Sequence, residues 1–290
     1  MKKTTKKTGN NQDKIYQMVT DRVAELLEKG VVPWQKPWAG GGHPANFISK
    51  KDYRGINTFL LGASGFSSRY WLSFKQVKSK GGTVKKGEHG SPCIFWKWID
   101  LKETDETDKP KKIPFMRYYT VFNLEQTTGI DIPEVEKRDL NPIAVCEKTI
   151  IDMPNAPFIT HKESQAYYRP AEDTVNMPKS NLFRSDSAYY STLFHELTHS
   201  TGHANRLDRH ANDNCSHHFG STDYSKEELV AEMGAAFLCG HCEIERETID
   251  NSAAYIQSWL KRLRDDRKFL VSAAAKAQKA VDYILDRKFN

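Results

Sequence analysis

Residues 194–203 read FHELTHSTGH, and no other stretch restricts the fold so much. In a helix, side chains four positions apart lie on one face about one turn from each other. His195 and His199 can therefore present two ring nitrogens to one ion, with Glu196 beside them to take a proton from an ion-bound water. Zinc lowers the pKa of such a water to about 7, so hydroxide is available at neutral pH. Local signals agree with a helix from about residue 187 to 201: RSDS precedes it as a cap and Gly202 follows it.

An open metal site needs a third protein ligand. His203 extends the spacing but lies past Gly202, where the helix is expected to end. In the HExxHxxGxxH pattern the third histidine would fall at position 205, which is Asn205, so that pattern fails. Downstream, SKEELVAEMGAAF sets Glu228 and Glu232 one turn apart on a helix beginning at Ser225. This resembles the gluzincin arrangement, in which the first acid of ExxxD/E binds the metal and the second orients a ligand histidine. By that resemblance Glu228 is the ligand and Glu232 the orienting acid. Ser225-x-x-Glu228 also reads as a capping box; Glu228 would then turn back to its own helix start and Glu232 would be the ligand. The CGHC stretch at 239–242 has no second pair at metal-binding distance and reads as two thiols on a helix end.

Charge divides the chain in two. Residues 1–130 hold 23 Lys and Arg against 12 Asp and Glu, while 131–290 hold 20 against 25, so a basic front (+11) joins a mildly acidic back (−5). The surplus lysine coincides with aromatic rings, the combination that single-stranded nucleic acid needs: cations for phosphates and flat faces for bases. The candidates are Trp34, Lys36, Trp38, Tyr53, Arg54, Arg69, Trp71, Lys75, Lys85 and Lys86. Trp34 and Trp38, in the Pro/Gly-punctuated VVPWQKPWAGGG, are expected to be exposed, whereas Phe59, Phe74 and Phe95 are expected to be core. No duplex-reading motif is present, so single strands are preferred over duplex.

These patterns predict an α+β protein of two domains: a basic arm (1–12), a small α+β module (13–130), a linker (131–145) and a mostly helical metal-binding module with a small sheet (146–290). A helix is expected over 13–29, and the charged KETDETDKPKKIP reads as the connection of a long hairpin. No run approaches the roughly 18–20 apolar residues that span a bilayer. Five scattered cysteines read as reduced thiols in a cytoplasmic protein.

Several long stretches closely resemble the ArdC antirestriction proteins of conjugative plasmids: IYQMVTDRVAELLEKGVVPWQKPW, YRGINTFLL, YWLSFKQVKSKGGTVKKGEHGSP, and YYSTLFHELTHSTGHANRLDR with YSKEELVAEMGAAFL. The resemblance runs from about residue 13 to at least 245. It implies an N-terminal single-stranded-DNA-binding domain, a C-terminal zincin-like metallopeptidase domain holding zinc or another divalent metal, and protection of incoming plasmid DNA from host restriction. A zinc protease delivered to DNA-associated proteins, or a DNA-binding protein with a purely structural metal site, are the competing readings. The test between them is whether peptide bonds in a protein substrate are cleaved.

Overall fold

The computed structural model describes residues 5–35, 42–104, 110–133, 141–209, 222–245 and 253–288. Helix α1 (Thr5–Glu28) is set by Ile15, Val19, Val23 and Leu27, which recur at helical spacing and are all buried. It begins inside the segment expected to be a basic arm. Once the apolar stripe has nucleated a helix, adding further turns costs little, and no proline interrupts residues 5–12. Gly30, at φ +73°, ends it, with the Val31 N–H donating back to Leu26 O at 2.8 Å.

The chain continues through β1 (Ala45–Asn46), α2 (Ile56–Gly62), β2 (Tyr70–Ser73), α3 (Phe74–Ser79), β3 (Thr83–Val84), β4 (Ser91–Thr104), β5 (Pro110–Asn123) and β6 (Thr127–Thr128). Four strands form a sheet in the order β1-β2-β5-β4, with β4 and β5 as the long antiparallel hairpin; β3 pairs with β6 separately. Asn57 of α2 brackets β4 at Ile94, donating to its carbonyl and accepting from its N–H, both at 2.7 Å. Cys93 and Ile94 are buried, and Phe95, Trp96 and Lys97 are exposed.

The second half comprises α4 (Pro142–Ile151), β7 (Phe158–Thr160), β8 (Tyr167–Arg169), β9 (Thr174–Asn176), α5 (Asp186–Ser200), α6 (Thr222–Cys242), α7 (Ala253–Asp265) and α8 (Phe269–Ile284). The three strands make a small sheet in the order β7-β9-β8. Buried Arg206 fastens this sheet to the end of α5: it is ion-paired with Asp173 and donates to Ser200 O at 2.7 Å. From Leu229 to Leu238, α6 is apolar on nearly every side and buried on nearly every side.

The two halves share their largest core. Phe59 of α2 stacks on Phe237 of α6 at 4.6 Å between ring centres, and Ile15, Ile94 and Met116 join the same cluster as Leu197, Met233 and Ala274. Trp34 is the deepest link. Expected to be exposed, it is fully buried, because the turn after α1 carries its indole into the second half, edge-on to Trp259 at 5.8 Å. Its N–H donates to Glu232 Oε2 at 3.1 Å, and the Tyr255 hydroxyl donates to the same oxygen at 2.7 Å. His43 lies against α6 as well: a Cβ at Gly240 would sit 3.0 Å from its ring.

Trp34→Ala is therefore expected to cost about 3–5 kcal/mol, with fluorescence and far-UV circular dichroism of both halves falling in one shared urea transition. Burial, helped by the nearby His241 and Arg69 charges, pushes the His43 pKa down to about 3. The unfolded chain then binds a proton that the folded chain refuses, so this residue's contribution to stability is present above about pH 6.5 and falls as the pH drops from there toward about 3. Melting curves of His43→Gln should be flatter than wild type across that window.

Candidate metal centre

Helix α5 starts at Ser185, whose hydroxyl accepts from Ala188 N–H at 3.0 Å, and its interior turns carry His195 and His199 toward α6. Helix α6 comes close because Gly234 faces Thr198: a Cβ there would lie 2.5 Å from the threonine methyl and hydroxyl. That approach places Glu228, six residues earlier on α6, opposite the histidines.

The His195 and His199 Nε2 atoms are 3.1 Å apart; Glu228 Oε2 lies 3.5 Å from the first and Oε1 3.6 Å from the second. Donors held tetrahedrally at about 2.0–2.1 Å from one ion are about 3.4 Å from each other. The three residues thus fit a divalent metal, and among the described residues they are the one such group whose donor atoms all lie within 4.8 Å. Glu196 is buried beside them and is not among the three.

Burial works to lower the His199 pKa, but Glu227, Glu196 and Glu228 outweigh it and raise the pKa overall. Glu227 is a residue that spacing arguments passed over: its Oε1 lies 3.6 Å from His199 Nδ1, the ring nitrogen turned away from the other donors. Burial alone would raise its pKa, yet His199 and Arg209 hold it down at about 2. The only signal in the sequence was the adjacency of two acids in EEL at 227–229. Glu232, read as the orienting acid or the alternative ligand, is instead bonded to Trp34 and Tyr255. The capping-box alternative also fails, since α6 begins at Thr222 and Ser225 lies inside it, buried.

The nucleic-acid candidates divide. Trp34 and Trp71 are interior, Trp71 packing edge-on to Phe66 at 5.6 Å, so neither ring offers a face to a base. Arg54 pairs with Asp282 and Arg69 with Asp52, Tyr53 is half-buried, and Lys85 donates to Glu125 O at 2.7 Å. Lys75 and Lys86 are exposed; Lys36 and Trp38 lie outside the described residues. Two rings expected in the core are outside it: Phe95, on β4, and Phe74, at the first position of α3. In the hairpin register Phe95 faces Arg117, Lys97 faces Phe115 and Cys93 faces Tyr119 on one side, with the Arg117 guanidinium 4.6 Å over the Phe115 ring. Tyr119 continues into a groove of about 470 Å³ lined by Asn46, Ser73, Lys75, Gln76 and Ser79.

Residues 13–122 match the family model for the N-terminal domain of the anti-restriction factor ArdC, and residues 148–276 match that for a zincin-like metallopeptidase. The metal-free crystal structure of the antirestriction protein ArdC from plasmid R388 superposes with a TM-score of 0.74 at 37% identity, over 94% of this chain and 97% of that one. The chain belongs to the ArdC antirestriction family. The Mn(II)-bound structure of the R388 protein gives a TM-score of 0.73 at 36% identity over the same shares. An uncharacterised protein of Sinorhizobium fredii, y4eC, is 35% identical over 97% of this chain and 94% of its own length. Two Escherichia coli DNA primases named TraC are each 36% identical over 93% of the chain, which spans only 27% and 20% of their lengths. No helix among the described residues of this ArdC-family chain is long and apolar enough to cross a membrane.

Gly234→Ala should force α5 and α6 apart at Thr198, costing about 1–3 kcal/mol and weakening metal binding in a chelator-competition titration. Adding Thr198→Ala should restore part of both losses.

Proposed function

We propose that this chain is a cytoplasmic antirestriction protein that grips single-stranded DNA on its front sheet and carries zinc in a peptidase-like centre, protecting incoming plasmid DNA from host restriction. The observation that carries the reading is the set of three donors, His195, His199 and Glu228, with the unligating carboxylate of Glu196 beside them. A purely structural zinc site normally closes with four protein ligands; three leave a position open for water and substrate. When bound, the ion acidifies a water and polarises a carbonyl oxygen. His195, His199 and Glu228 would hold the ion, and Glu196, beside them, would be placed to accept a proton from a water there and pass it to a leaving nitrogen.

The DNA reading rests on the hairpin face. Phe95, Arg117, Lys97, Phe115 and Tyr119 alternate rings and cations along one side of an exposed antiparallel pair, and Lys75 carries the charge into the adjoining groove. Rings stack on any base and cations follow the backbone, so such a face binds unpaired strands with little sequence preference.

Glu196→Gln should leave metal content and oligonucleotide affinity unchanged and abolish peptide hydrolysis. If that variant still protects a transferred plasmid in a restricting host, proteolysis is not the route of protection. Phe95→Ala and Arg117→Ala should each weaken single-strand binding, the ring by about 1–3 kcal/mol, with a shallower salt dependence for the arginine variant. A mobility-shift titration with unchanged affinity would place the strand elsewhere.

A further inference from the structure

One cation outside the three donors is built into the metal centre. The Arg209 side chain is only 7% exposed, and its guanidinium bridges two helices. Toward α5, Nη2 donates to Thr198 O at 2.9 Å and Nη1 donates to the Thr201 hydroxyl. Toward α6, Nη2 donates to Glu227 Oε1 at 2.5 Å and Nε to Oε2 at 3.4 Å. The same Oε1 lies 3.6 Å from His199 Nδ1. A line of contacts therefore runs from Arg209 through Glu227 to the imidazole whose Nε2 is a metal donor.

The neighbouring Arg206 shows that holding the end of α5 does not require this arrangement. Arg206 also binds a carbonyl there, Ser200 O, but its carboxylate partner is Asp173 beside the small sheet rather than an acid of α6. Arg209 differs in spending its fork on the acid that faces a ligand histidine. A planar guanidinium with donors in fixed directions can hold a carboxylate edge-on; the compact ammonium of lysine cannot. A histidine ligand whose outer nitrogen is held by a carboxylate keeps its ring orientation and tautomer.

We propose that Arg209 is a positioning residue of the metal centre: it fixes the Glu227 carboxylate against His199 Nδ1 and so keeps His199 Nε2 aimed at the ion. This rests on the reading of His195, His199 and Glu228 as the ligands. Glu227 acts as the oriented acceptor and Arg209 acts through it; neither touches the ion.

The test uses the full-length chain, stripped of metal and titrated with Zn(II) against a chelator, with Co(II) absorption as a report on coordination geometry. Arg209→Lys and Glu227→Gln are each expected to lose about 10- to 100-fold in Zn(II) affinity and to change the Co(II) spectrum, with oligonucleotide affinity unchanged. The double variant should lose little more than either single one, because both act on one contact. Should Arg209→Lys fail to fold, Glu227→Gln decides, since it keeps the side-chain shape but removes the carboxylate that Arg209 holds against His199. Folded variants that bind Zn(II) like wild type, with an unaltered Co(II) spectrum, overturn the proposal, as does a loss of thermal stability alone. His195→Ala is the control: if it too binds Zn(II) with undiminished affinity, the ligand reading itself has failed, not the role of Arg209.

Discussion

The backbone of α6 passes α5 at a point where only a hydrogen fits, Gly234 against Thr198, and the metal centre depends on that closeness. Two histidines on one helix define only one side of a site. A carboxylate must approach from a second helix to within about 3.5 Å of both rings, and Glu228 can do so only if the helices touch below it. Packing and chemistry are thus not separate layers here. The apolar run Leu229–Leu238 that buries α6 also fixes the height and rotation at which Glu227 and Glu228 meet the imidazoles.

A second dependence runs between the halves. Helix α1 packs on α7 and α8, Phe59 of α2 stacks on Phe237 of α6, and the Trp34 indole is neutralised as a polar group by Glu232 and Tyr255. A buried indole N–H without a partner would be costly, so Glu232 serves the junction between the halves. The charge asymmetry along the sequence does not divide the interior, whose largest apolar cluster spans both halves.

Part of the candidate centre was legible in the sequence, because helical spacing is rigid: positions 195 and 199 share one helix face, whereas periodicity left Glu228 and Glu232 as alternatives and only the gluzincin resemblance favoured Glu228. The α1 stripe and the long hairpin were equally readable, since periods of 3.6 and 2 leave strong traces. What was not legible was decided by tertiary contact. Trp34 sits among Pro and Gly, a context that signals a loop, and nothing local announces that the loop dives inward. Phe95 and Ile94 are adjacent apolar residues on a strand, and which of them meets the core depends on what packs against each face, which the local sequence does not encode. The paired role of Glu227 and Arg209 needed the distance across a chain separation of 18 residues, which no short-range pattern encodes.

The continuous interior also bears on how such a chain can be inherited. A recombination event that parted the front half from the helices behind it would bare the apolar residues the two now share, Ile15, Trp34 and Phe59 on one side and Met233, Phe237 and Trp259 on the other. Moving the two together keeps that shared core closed. The TraC primases, which match 93% of this chain within 27% and 20% of their own lengths, carry both halves side by side.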